Sequence, residues 1–251
     1  MSPGRWIRPI AVLLGTAALV AAAAGPVRAA YQATADSNTT AFSFSCIGLN
    51  DAYPARMLSA ALAGYRNLGY ATTSYSGTSF SKAQVLSRTF NDWGFYVHSH
   101  GDNYIYSGST RDFGFREDAG VCAGARIVFA RDISAVRLGR PSNLVVISTC
   151  HLGESGTTMP AAFAIPKTKA GRGAWVGPSF YLGYGGEAWD SDEYAFETRF
   201  WGAIGPGYGV GQAYDFARLG SFNVGFAPNW YGSYVWTGRA GPLPTGCTSC
   251  L

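Results

Sequence analysis

The chain has 251 residues, 47% of them apolar, with 19 Lys and Arg against 15 Asp and Glu, a formal net charge of +4. That length suits one α/β domain with a full-sized core, or at most a domain plus an appendage. Three of the arginines lie in the first 29 residues, which carry no acids; without them 16 cations face 15 acids, a net charge of +1, and nucleic-acid binding loses its electrostatic argument.

At the N-terminus Arg5 and Arg8 precede an apolar run over 10–24 that ends in Val27-Arg28-Ala29, a small-residue cleavage pattern. Residues 1–29 read as a secretory signal peptide, because about fifteen apolar residues fall short of the roughly twenty of a membrane span. The expectation is a secreted mature chain, 30–251, forming a single domain with a Gly/Pro-rich tail over about 238–251 and no stable membrane insertion. The five cysteines are Cys46, Cys122, Cys150, Cys247 and Cys250. Export favours disulfides, an odd count leaves one thiol over, and Cys150 is the one with a chemical use. The pairing of the other four stays open.

Residues 31–40 are polar and read as a loose mature N-terminus, and 41–46 alternate as a strand. Asn50 or Asp51 caps a helix with Pro54 in its first turn, an inward stripe of Met57, Leu58, Ala61, Leu62 and Tyr65, and a stop at Gly69. A short strand over 70–75 and a helix over 81–91 follow, feeding the apolar strand Trp93-Gly-Phe-Tyr-Val-His98-Ser-His100-Gly101. The Gly, Ser and aromatic-rich segment 101–124 suits a long loop or hairpin bordering an active site. Then come a short strand at 127–129, a helical turn over 132–138, the buried strand Leu144 to Ser148, a helix near 159–164, a strand at 174–176, helices from Ser191 and over 211–219, and an edge strand at 231–236. Strand and helix alternate through most of the chain, which predicts a three-layer α/β/α sandwich with a mostly parallel central sheet.

Two strand ends carry the chemistry. The first closes in His100-Gly101-Asp102, the second in Thr149-Cys150-His151-Leu-Gly153. Ligands collect at the carboxyl ends of parallel strands, and a thiol delivered there with an imidazole beside it is a candidate nucleophile with its base. A bare glycine backbone after the histidine admits a substrate carbonyl and offers its N–H to a developing oxyanion. His98 reads as a buried histidine hydrogen-bonded to backbone.

An apolar block ending in His-Gly followed by one ending in Ser-x-Cys resembles the caspase-like (clan CD) cysteine peptidases, nearest to the CHAT and gingipain-type domains. The resemblance runs over about 93–219 and includes the Gly-Ala segment of 169–177 and the helical pair of 196–213. It implies a caspase-like fold and a secreted cysteine endopeptidase acting on peptide or protein substrates without metal or organic cofactor. It also implies His100 as base, Cys150 as nucleophile and the amides of Gly101 and Cys150 as oxyanion donors. The first substrate pocket of such enzymes lies beside these strand ends, which makes Asp102 and Glu154 candidates for recognising a basic side chain. His151 departs from the pattern, since CHAT relatives often carry an acidic residue there.

Two other readings compete. His98-Ser-His100-Gly-Asp102 has the form His-x-His-x-Asp, the opening of a metallo-β-lactamase-type zinc site with Cys150 or His151 added, although position 103 is Asn and few histidines remain. A non-catalytic binding module would use the aromatics Trp175, Tyr181, Tyr184, Trp189, Trp230 and Tyr231, which read more readily as core or rim than as a platform.

Overall fold

The computed structural model describes residues 31–37, 53–117, 126–167, 179–204, 209–220 and 227–233. The expected signal peptide, the strand at 41–46, the strand at 174–176, the C-terminal tail and the four cysteines other than Cys150 lie outside the described residues. Among the described residues no helix is long and apolar enough to cross a membrane.

The strands are β1 (Gln32–Ser37), β2 (Ala71–Ser76), β3 (Gly94–His98), β4 (Gly101–Ser107), β5 (Thr110–Arg116), β6 (Ile127–Phe129), β7 (Leu144–Ser148), β8 (Phe180–Gly185) and β9 (Ala227–Gly232). The helices are α1 (Tyr53–Asn67), α2 (Lys82–Asn91), α3 (Ala130–Arg137), α4 (Met159–Ala162), α5 (Asp190–Ala203) and α6 (Val210–Arg218). A six-stranded sheet runs β2-β1-β3-β7-β8-β9, parallel except for β9, and β4-β5-β6 form a separate antiparallel sheet. The protein is a three-layer α/β/α sandwich.

Period-two alternation decides which side of the sheet each residue serves. On one face Tyr96, Leu144, Val146, Phe180 and Leu182 pack with α1, α5 and α6 around Tyr65, Phe200 and Trp201. On the other, Phe95, Val97, Val145 and Ile147 meet Val85 of α2, Ile133 of α3 and Met159 of α4, and Phe115 of β5 joins them. Strands covered on both faces by helices are apolar throughout, which is why β3 and β7 stand out in the sequence.

Three expectations need correction. Residues 32–37 are not a loose terminus but β1, an inner strand between β2 and β3. Its polar side chains disguised it: Ala33 and Ala35 face the apolar layer, whereas Thr34 accepts from Arg88 Nε (3.0 Å) and Asp36 from Gln84 (3.4 Å), both of α2. β8 is absent from the expected elements, its glycines interrupting the apolar pattern, yet Phe180, Tyr181, Leu182 and Tyr184 are fully buried. The last strand lies at 227–232 rather than 231–236. The hairpin expected after Gly101 is present as β4 and β5, and Ile127–Phe129 joins it as β6 instead of entering the main sheet.

Candidate active site

β3 and β7 run side by side in a register that pairs His98 with Ser148. His100 and Cys150 each lie two residues beyond that last pair, so the chain emerges with both at the same rim. The Ser99 N–H donates to the Ser148 carbonyl (3.1 Å) and extends the ladder past the strand ends. His100 and Cys150 line one cleft of about 520 Å³, together with Gly101, Asp102, Arg116 and Trp189. The pair predicted from sequence is thus brought together.

Glycines set this geometry. A methyl group on Gly101 would meet Thr149 Oγ1 at 2.4 Å and the Cys150 carbonyl oxygen at 2.7 Å, so the bare backbone lets β4 start directly against the end of β7. Arg116 N–H donates to the His100 carbonyl (2.9 Å), which makes Gly101 and Phe115 a non-hydrogen-bonded pair and turns the Gly101 N–H away from β5. Beyond Cys150 the backbone of His151 takes a left-handed turn (φ 64°) and its N–H donates to Gly186 (2.9 Å). Gly153 then presses on β8, where an added methyl would stand 2.4 Å from the Gly183 carbonyl.

Cys150 is a free thiol, partly buried. Its Sγ accepts from the Ala188 N–H (3.3 Å) and donates to the Ala188 carbonyl (3.6 Å). Burial pushes the thiol pKa up; the Ala188 N–H opposes this, the carboxylates of Glu193 and Glu187 reinforce it, and the net shift is upward. Burial and the nearby Arg116 guanidinium lower His100 to about 4, so its imidazole is neutral near pH 7. The resting pair is a neutral thiol and a neutral base able to take its proton, rather than a thiolate facing an imidazolium.

His98 differs from expectation in part. It is buried as expected, but its ring also meets carboxylates: Nε2 lies 3.3 Å from Asp190 Oδ1 and 3.3 Å from Glu193 Oε2, both in the first turn of α5. Burial alone would lower its pKa, but the two carboxylates override burial and raise it to about 10. Behind this cluster Glu197 accepts from the hydroxyls of Tyr96 (2.9 Å) and Tyr184 (2.9 Å), and burial, then Glu193, lifts its carboxyl to about 7. The sequence reading places a helix start at Ser191 and misses this role of its acids. The available signal was spacing: 190, 193 and 197 lie on one stripe of α5, shared with the apolar Phe196 and Phe200 that face the core.

Of the two acids expected to recognise a basic side chain, Asp102 lines the cleft. Glu154 does not; its carboxylate is engaged by His151 Nδ1 at 2.5 Å, three residues back in the same turn. Nor do His98, His100 and Asp102 converge as a metal set. Among the described residues the group able to hold a cation is His98, Asp190 and Glu193, whose ligand atoms lie within 4.8 Å of one another. Alternation alone would keep these residues on one face; the chain instead leaves β3 after His98 and bends at Ser99, so His98 stays on the α5 face while His100 enters the cleft. The aromatics proposed as a platform are mostly core: Tyr181, Tyr184 and Tyr231 are buried, and Trp189 stands exposed at the cleft.

No protein-family model matches the chain, and no curated protein matches it. Among solved structures, protein GSU0716 from Geobacter sulfurreducens is similar at 14% identity and a TM-score of 0.43, over 81% of this chain and 94% of that one. A likeness at that level carries no argument about function.

Proposed function

We propose that this chain is a secreted cysteine endopeptidase of caspase-like type, exported by residues 1–29 and hydrolysing peptide bonds with a Cys150–His100 dyad. One observation carries the reading: a free thiol and a neutral imidazole at adjacent parallel strand ends share one cleft. The His-Gly and Ser-x-Cys strand-end motifs support it in the same direction.

In the proposed cycle the Cys150 S–H proton passes to His100 as sulfur bonds to the scissile carbonyl carbon. The carbonyl oxygen becomes an oxyanion, for which the Gly101 and Cys150 amides are the candidate donors. The His100 imidazolium protonates the leaving amine, the C–N bond breaks and a thioester remains. Water, deprotonated by His100, adds to the thioester; the carboxylic acid leaves and sulfur recovers its proton. The chain's own groups suffice for each step. Asp102 remains the candidate for recognising a basic side chain, and Glu154 is no longer one.

The test uses a panel of thiol-directed peptide probes on the mature protein, followed by mass-spectrometric mapping. Labelling at Cys150 that is abolished in Cys150→Ala and suppressed in His100→Ala, with both variants folded, is the expected result. Absence of labelling across the panel, or labelling that survives His100→Ala at the wild-type rate, refutes the dyad.

A further inference from the structure

We propose that His98 is a positioning residue for Cys150: by holding Asp190 and Glu193 it ties the first turn of α5 to the end of β3, and so fixes the Ala188 peptide that grips the thiol. This deepens the cysteine-hydrolase reading and rests on it only in treating Cys150 as the reacting group.

Ala188 stands two residues before Asp190, in the short segment between β8 and α5, and it offers the Cys150 sulfur both a donor and an acceptor. The N–H contact matters most, because a peptide N–H aimed at sulfur stabilises the thiolate over the thiol. In the segment Gly186-Glu-Ala-Trp189 the Gly186 carbonyl accepts from His151 N–H (2.9 Å) and Ala188 packs against the apolar layer, whereas Trp189, 59% exposed, and Glu187 reach outward, so the Ala188 peptide depends on what holds the segment's far end at α5. What lies beneath is rigid. His98 is fully buried on an inner strand, in register with Ser148 of the strand that carries Cys150. Its ring touches the two carboxylates that open α5. One turn further, Glu197 is anchored to Tyr96 and Tyr184 of β3 and β8. The helix is therefore pinned to the sheet at three acids, and the pin nearest Ala188 is His98.

The cluster predicts an effect opposite in sign to a plain charge effect. Asp190 and Glu193 are negative groups beside the cleft, so by charge alone Asp190→Asn speeds thiolate formation. If Asp190 acts as the far end of a clamp, the same substitution frees Ala188, removes the N–H from sulfur and slows it.

The measurement is the rate of Cys150 alkylation by iodoacetamide from pH 6 to 10, followed site by site by mass spectrometry, alongside thermal unfolding. His98→Gln and Asp190→Asn are each expected to slow alkylation at pH 7 about tenfold, the scale of one charge-assisted hydrogen bond lost. The double variant is expected to be no slower than either single one, because both release the same peptide. Faster alkylation in Asp190→Asn overturns the proposal, as do additive effects, or unchanged rates with a lowered melting temperature, which mark a purely structural role. A zinc-dependent rise in melting temperature that His98→Gln abolishes also overturns it, since the cluster is then a metal site. If His98→Gln does not fold, Asp190→Asn alone decides by the sign of its effect. Alkylation reads the sulfur whether or not peptides are cut, so loss of the peptidase reading leaves this test intact.

Discussion

Substituting Gly101 by Ala tests the closeness of the two strand ends directly. The new methyl would lie 2.4 Å from Thr149 Oγ1, 2.7 Å from Thr149 Cβ and 2.7 Å from the Cys150 carbonyl oxygen. Ordinary contact begins near 3.4 Å, so roughly 0.7–1 Å must be found. Threonine is β-branched and stiff, and the carbonyl belongs to the backbone of the strand end, so neither yields by a simple rotation. The first residue of β4 must move off the end of β7 instead. Overpacking of this kind costs about 1–3 kcal/mol. In a domain of this size each kcal/mol lowers the melting temperature by about 2–4 °C, so a mid-range cost of about 2 kcal/mol means a drop of about 4–8 °C. Because His100 immediately precedes residue 101, a misplacement of about 1 Å between base and thiol costs on the order of 100-fold in probe labelling. Calorimetry and labelling kinetics at Cys150 measure the two effects. Thr149→Gly in the same chain relieves the side-chain contacts but not the carbonyl, and restores only part of the loss. Wild-type stability together with wild-type labelling in Gly101→Ala would refute the claim that this glycine seats His100 against the strand end that carries Cys150.

Other consequences follow from the charges. The proposed peptide hydrolysis would need a neutral His100, whose pKa is lowered to about 4, so its kcat/KM should hold through pH 5–6 and fall only as pH drops through about 4; an acid limb near the ordinary histidine value of 6.5 contradicts this. Cys150 titrates above the usual thiol range, so iodoacetamide alkylation at that residue should still be climbing with pH beyond 9. His98, facing Asp190, Glu193, Glu197 and His100, has a folded pKa raised from 6.5 to about 10. Its stabilisation is complete below about 6.5 and is lost as pH rises through about 10, so urea midpoints of wild type should converge on those of His98→Gln in that window. Glu197, raised to about 7, acts in the contrary sense to an ordinary carboxylate: folding favours its protonated form, stability falls as pH rises from 4.5 to 7, and Glu197→Gln should flatten that slope in denaturant titrations.

Much of the fold was legible in the sequence where burial and residue type agree. Leu144 to Ser148 is apolar on both faces because helices cover both faces, and α1 shows its stripe because Met57, Ala61 and Tyr65 pack against the sheet while its other side meets water. That His100 and Cys150 would line one cleft was readable because parallel strands end at a common rim and glycines mark where backbones approach closely. Hidden elements were those in which polar residues are buried and satisfied by partners far along the chain. β1 looked like a tail because Thr34 and Asp36 find Arg88 and Gln84 some fifty residues away, and β8 gave no strand signal because its small glycine at 183 serves Gly153 of another segment. Composition and local pattern determined the layered α/β sandwich and the identity of the thiol and imidazole at the strand ends. Tertiary structure decided the electrical state of that pair: whether a histidine is cationic, as His98 is, or neutral, as His100 is, depends on which carboxylates or guanidinium the fold brings within reach, and those lie on β5 and α5, distant in sequence from the strands they serve.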